Sequence, residues 1–187
     1  MKIITMFKTL PLQKLVIFLS LTITLAACAT DANVYKAYAG DERANLQVSR
    51  VDGDRYIRTD WINRYVDKVR FLAVDGISIE NPEEFDSLQI APGYHDLRVY
   101  YSWDLGSQRG LAPALVSFAA SRENVSRTLR FNALASERYT VKANPVFNSQ
   151  RLDITELLYV DFWIEDREGN EIVSREEGRY VPVVENN

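Results

Sequence analysis

Cysteine and histidine are almost missing from this 187-residue chain, which holds one of each, Cys28 and His95. A lone cysteine excludes an internal disulfide, and the pair together excludes any zinc site of the usual Cys/His spacing. The sequence has no glycine-rich phosphate loop and no Gly-x-Ser-x-Gly nucleophile elbow. Asp52-Gly53-Asp54 supplies too few oxygens for a calcium loop of the usual kind and reads as a turn. Neither a metal site nor a cofactor is expected. Low-complexity segments and internal repeats are lacking as well. Basic residues number 22 against 26 acidic ones. That balance argues against nucleic acid and anionic lipid headgroups as partners, since both demand a basic surface.

What is present is concentrated at the N-terminus. Lys2, Lys8 and Lys14 are the only charges before Cys28, and they precede the apolar run Leu15 to Leu25. The run has the length of a signal-peptide core and falls short of the ~20 residues needed to span a bilayer. Ala26 and Ala27 then offer small side chains beside a cut between Ala27 and Cys28. Leu25-Ala26-Ala27-Cys28 resembles the lipobox of bacterial lipoproteins. The resemblance implies a signal peptide over 1–27 and a diacylglycerol on the Cys28 thiol, with the new amino group acylated as well. It makes the lipid bilayer a partner through acylated Cys28. Each buried methylene contributes about 0.8 kcal/mol and a single chain anchors only marginally, so several chains would hold the protein firmly. Ala29 after the cysteine, in place of Asp, implies the outer membrane, facing the periplasm.

Residues 1–27 hold three of the basic residues and none of the acidic ones. Their removal leaves 160 residues with nineteen basic and twenty-six acidic side chains, a formal charge of −7. That length suits one domain stabilised by its own core. Residues 28–45 carry few large apolar side chains and read as a lipidated N-terminus and tether. The domain proper is expected over 46–187.

Period-two patterning predominates there. Val125, Leu129 and Phe131 share one strand parity, as do Tyr139, Val141 and Ala143. Leu158, Val160, Phe162 and Ile164 alternate with Tyr159, Asp161, Trp163 and Glu165 in the clearest strand. Further strands are expected at 46–51, 69–74, 86–90, 94–101, 171–174 and 179–184. Helical signals are short: one turn at Asn81-Pro82-Glu83-Glu84, with Asn81 suited to cap it, and a short helix over Thr59 to Asp67 from the spacing of Ile57, Trp61 and Tyr65. Asp75-Gly76 and Pro92-Gly93 are tight-turn dipeptides, and they predict a meander from Val69 to Tyr101. The run from Phe71 to Val99 with these turns resembles PEGA-type modules and related small envelope domains. The fold class expected is all-β, a single antiparallel β-sandwich with one or two short helices. The resemblance implies an immunoglobulin-like or transthyretin-like form, usually without catalytic activity.

Candidate site residues are few. His95 shares parity with Leu97 and Val99, which suits a satisfied histidine at the core edge, and its neighbour Asp96 points to the opposite face. No catalytic residue is assigned. Asp161 and Glu165, on one strand face, are the candidates for an alternative reading as a carboxylate-based hydrolase of envelope polysaccharide or peptide, though charges on a solvated strand face account for them more simply. Tyr159 and Trp163 on that face suit either a partner platform or a second buried surface, with burial favoured. Leu111 to Ala120 is longer and more apolar than a strand connection needs. It reads as a capping helix over 112–120, or as a contact in which Leu111, Leu115 and Phe118 meet a partner. These features suggest a non-enzymatic envelope module that binds or supports an envelope protein or cell-wall component.

Overall fold

The alternation read from the sequence folds, among the described residues, into twelve strands in two sheets. The computed structural model describes residues 33–59, 61, 64–104, 125–148 and 157–182; Ala27, Cys28 and the 111–120 stretch lie outside them. The strands are β1 (Val34–Lys36), β2 (Ser49–Gly53), β3 (Arg55–Thr59), β4 (Arg64–Val74), β5 (Ile77–Ser78), β6 (Ser87–Ile90), β7 (Gly93–Ser102), β8 (Ser126–Ala133), β9 (Arg138–Phe147), β10 (Leu157–Glu165), β11 (Glu171–Val173) and β12 (Arg179–Tyr180). Sheet one has the order β1-β6-β2-β9-β10-β11, with β12 pairing the same β10. Sheet two is β3-β4-β7-β8, with β5 on β4. The result is all-β and sandwich-like.

Side chains of one parity fill the space between the sheets. Phe71, Leu97, Val99 and Leu129 come from sheet two, and Val51, Leu88, Ile90, Val141, Val160, Phe162 and Ile164 from sheet one, all at 0–1 % exposure. Each fully buried side chain of this size stabilises the fold by roughly 1.5–3 kcal/mol. A bulge in the pairing of β10 with β9 between Leu157 and Tyr159 shifts the expected parity at one point. Leu157 is thereby buried and Leu158 is 45 % exposed.

Several local expectations are corrected. Thr59 to Asp67 is no helix: β3 and β4 form a hairpin with Arg58 opposite Tyr65 and Tyr56 opposite Asp67. The apparent helical spacing arises because the inward face mixes Arg58 and Asp67 with Tyr56 and Tyr65, which breaks the apolar alternation of a strand. The only helical elements among the described residues are single 3-10 turns at Asn45–Gln47 and Pro82–Glu84. Asn81 precedes the second with φ 49° and makes no capping bond through its side chain. The Val69–Tyr101 meander is also absent. Asp75 and Gly76 both have positive φ and close the β4–β5 hairpin as expected, but β6 joins the other sheet. The chain returns through Pro92-Gly93 to β7, which pairs with β4 instead.

Sheet two is antiparallel throughout, whereas sheet one contains two parallel pairs, β1 with β6 and β2 with β9. The first of these brings part of the 28–45 stretch into the fold. Val34, Tyr35 and Lys36 pair with Ser87, Leu88 and Gln89, and the Tyr35 ring meets Phe85 edge-on at 5.2 Å.

Asp52-Gly53-Asp54 is a corner between sheets and not a reversing turn. Gly53 ends β2 in sheet one, and Arg55 begins β3 in sheet two. Asp54 N donates to Val141 O, and Val69 N donates to Asp54 O, so the corner is stitched to both sheets. A Cβ on Gly53 would lie 2.2 Å from Val69 O; only glycine permits this approach.

Candidate functional site

The outward side chains of sheet one form a continuous charged and aromatic face. Strand parity places Arg50 and Asp52 of β2, Arg138, Thr140 and Lys142 of β9, and Tyr159, Asp161, Trp163 and Glu165 of β10 on it. At one end, beside the Gly53 corner, lies a groove of about 510 Å³ lined by Arg50, Asp52, Arg55, Lys68, Asp86, Arg138 and their neighbours.

Asp52 is the hub of that groove. Its Oδ1 accepts from Arg50 Nε at 2.8 Å and Ser87 Oγ at 2.5 Å, and its Oδ2 accepts from Arg138 Nε at 2.5 Å. Partial burial opposes its charge, but the hydrogen bonds from Arg138, Ser87 and Arg50 outweigh that and hold the carboxyl below its ordinary 3.8. Asp86 accepts from Lys68 Nζ at 3.0 and 3.1 Å and from Arg70 Nη1 at 2.7 Å. Lys142 bridges Asp54 at 2.9 Å and Glu165 at 3.8 Å, linking the groove to β10.

On β10 the expected aromatic pair is covered from within the chain. Trp163 is only 6 % exposed. Its Nε1 donates to Glu165 Oε1 at 2.7 Å, and the Arg175 guanidinium lies 3.8 Å above its ring. Arg179 does the same for Tyr159 at 4.3 Å, while its Nε and Nη2 donate to Asp161 at 2.6 and 3.0 Å. These arginines follow β11, where the chain folds back over the face of β10. Sequence parity located Tyr159 and Trp163; nothing in the turn's irregular sequence announced Arg175 and Arg179 as their covers. Gly178 permits the fold-back, since a Cβ there would meet Phe162 O at 1.8 Å.

His95 sits elsewhere, on β7 of sheet two, and is not brought near Asp161 or Glu165. Its Nδ1 is 2.7 Å from Asp75 Oδ2 and its Nε2 is 2.7 Å from Ala91 O. Both ring nitrogens are therefore occupied, and each must donate for both contacts to be hydrogen bonds. The orienting carboxylate is Asp75 of the β4–β5 turn. Asp96 instead takes a bidentate bond from Arg130, at 2.6 Å for each contact.

A second polar centre lies between the sheets at the β3–β4 hairpin. Asp67 is completely buried. It accepts from Arg58 through Nε and Nη2, from Asp104 N at 2.8 Å and from Tyr101 Oη at 3.3 Å. Burial, and then the Asp67 charge, push the Tyr101 hydroxyl far above its ordinary range. Beside it Tyr56, Tyr101, Trp103 and Phe147 form a chain of ring contacts, tilted between the tyrosines and edge-on at Trp103. Among the described residues no cluster of three or more His, Cys, Asp or Glu side chains has the arrangement to hold a metal ion, and no helix is long and apolar enough to cross a membrane.

The fold and this face define an all-β, sandwich-like domain with one charged outer sheet surface. No known family model matches the chain, and no curated protein or solved structure is significantly similar to it.

Proposed function

We propose that the chain is a lipid-anchored, non-enzymatic module of a bacterial envelope, attached through acylated Cys28 at the periplasmic face of the outer membrane. Its outer sheet-one surface meets another envelope component, a protein or cell-wall element carrying charges of both signs. The observation that carries the binding reading is the groove at the Gly53 corner. Arg50, Arg55, Lys68 and Arg138 alternate there with Asp52, Asp54 and Asp86, a surface suited to complementary polar contacts. Asp161 is engaged by Arg179 and Asp52 by three donors, an arrangement that favours recognition over proton transfer.

The anchor is tested by Cys28→Ser in cells fed a fatty-acid probe. The variant should remain unlabelled, and labelling equal to that of the parent chain refutes the anchor. The groove is tested by Arg138→Glu. Crosslinking in intact envelopes should lose the adducts formed by the parent chain while circular dichroism stays unchanged; retained adducts with an intact fold count against this face.

A further inference from the structure

The β3–β4 hairpin departs from the acidic balance of the chain. From residue 55 to 68 the sequence places Arg55, Arg58, Arg64 and Lys68 against Asp60 and Asp67. Pairing sorts the described ones by face. Arg55 opposite Lys68, Ile57 opposite Val66, and Thr59 opposite Arg64 share the outward side, whereas Arg58 and buried Asp67 point inward and bind each other. Lys68 reaches Asp86. Among the described residues neither the Arg55 nor the Arg64 guanidinium has a carboxylate partner, although Arg55 N donates to Asp54 Oδ1 at 2.8 Å. Beyond them Trp61 is 96 % exposed, and Ile57 is half exposed.

Asp104 braces the base of the hairpin, accepting from Val66 N at 2.8 Å and donating its own N–H to Asp67 Oδ1 at 2.8 Å. The ladder of β4 with β7 begins at Lys68, and Arg64 to Asp67 continue about 13 Å beyond it at ~3.3 Å per residue. The chain enters the fold at the same end. Asn33 O accepts from Asp86 N at 3.1 Å, beside Lys68, while Ala37 to Ala39 share a cavity with Val74 and Ile77. Strand β1 therefore runs in the same sense as β4, with its first residue toward the hairpin. Five residue steps separate Cys28 from Asn33, and they span at most about 17 Å. A lipid on Cys28 can therefore lie no farther than that from Asn33.

We propose that this hairpin is a second membrane contact, an inference that rests on the lipid-anchor reading of Cys28. Trp61 enters the boundary between headgroups and acyl chains, where its ring is apolar and its N–H stays wet. Ile57 adds apolar area, and Arg64, opposite Thr59 at the far end of the hairpin, meets lipid phosphates. The contact fixes which end of the domain faces the bilayer and leaves the sheet-one groove at a set height above it. The whole-chain charge argues against anionic headgroups, so the docking is carried by Trp61 and Ile57, with Arg64 as an outward basic contact.

The test uses the full-length chain purified from membranes and reconstituted into phosphatidylethanolamine–phosphatidylglycerol vesicles carrying brominated acyl chains. Tryptophan emission should be quenched, and Trp61→Phe should remove that component, leaving Trp103 and Trp163 as background. Arg64→Gln should lower the docked-to-free ratio about fivefold, the value of one basic residue near an anionic surface. Mass spectrometry of the N-terminal peptide reports Cys28 acylation independently. Acylated protein whose quenching is unchanged by Trp61→Phe overturns the docking and leaves the anchor standing, whereas an unacylated Cys28 overturns the anchor. A photo-crosslinker substituted at Trp61 that captures protein and no lipid overturns the choice of the bilayer as occupant.

Discussion

Replacing Arg58 with Met tests whether the buried Asp67 is held by its ion pair or by its neutral neighbours. Methionine keeps much of the stem's volume and removes the charge. The Asp67 carboxylate, with its side chain at 0 % exposure, would keep only Asp104 N and the longer bond from Tyr101 Oη. Stripping one partner from a buried pair typically costs about 3–5 kcal/mol, because the remaining charge is uncompensated. The Arg58 side chain is 30 % exposed, so water already screens part of the interaction. The lower end, about 3 kcal/mol, is the expected loss. With a urea slope of roughly 2 kcal/mol per molar for a domain of this size, the unfolding midpoint should fall by about 1.5 M. Adding Asp67→Leu removes the stranded charge, so the double variant should regain about 2 kcal/mol relative to additivity. Recovery stays incomplete because the Asp104 amide and Tyr101 hydroxyl lose their acceptor. A loss below about 1 kcal/mol for Arg58→Met, or strict additivity of the two changes, would falsify the account.

Two further outcomes follow from the groove and its corner. Gly53→Ala sets a methyl group against the Val69 carbonyl, where backbone on both sides cannot yield cheaply, so roughly 3 kcal/mol should be lost. Melting would fall by about 6–12 °C, and an unchanged thermal scan would mean the corner relaxes freely. Asp52 supplies the pH dependence. Its folded-state carboxyl titrates below its ordinary 3.8, so its contribution is fully present above that value and is lost as pH falls through the lower folded-state value. Asp52→Asn should therefore destabilise the domain at neutral pH and flatten the acid limb of its stability profile below about pH 4. An acid limb identical to that of the parent chain would show that Asp52 is not the hub.

Strand β10 was legible because its apolar residues alternate over nine positions, and the burial of Val160, Phe162 and Ile164 follows directly. Only the bulge at Leu158 escaped, since it depends on the partner strand. The β3–β4 hairpin was not legible. Its inward face buries an ion pair, so the apolar alternation that reveals a strand is missing, and Trp61, Ile62, Tyr65 and Val66 mimic a helical stripe. Sheet membership was equally hidden: β6 carries the same alternation whichever sheet it joins, and the Pro92-Gly93 reversal fits an arch between sheets as well as a hairpin. At the candidate site, parity found Tyr159 and Trp163. The junction of Asp52 with Arg138, eighty-six residues apart, arises from parallel pairing of β2 with β9 and leaves no local trace.

The parallel docking of β1 against β6 has a mechanical consequence. Consider a pull applied at Asn33 and directed along the axis of β1. The bonds flanking that strand, Asp86 N to Asn33 O and Ala37 N to Gln89 O, and the ladder between them are then loaded together in shear rather than peeled one after another. From β6 the load passes sideways into β2 and on to β9, the middle of the larger sheet. A three-residue strand thus distributes tension across the sheet instead of acting as a strip that unzips.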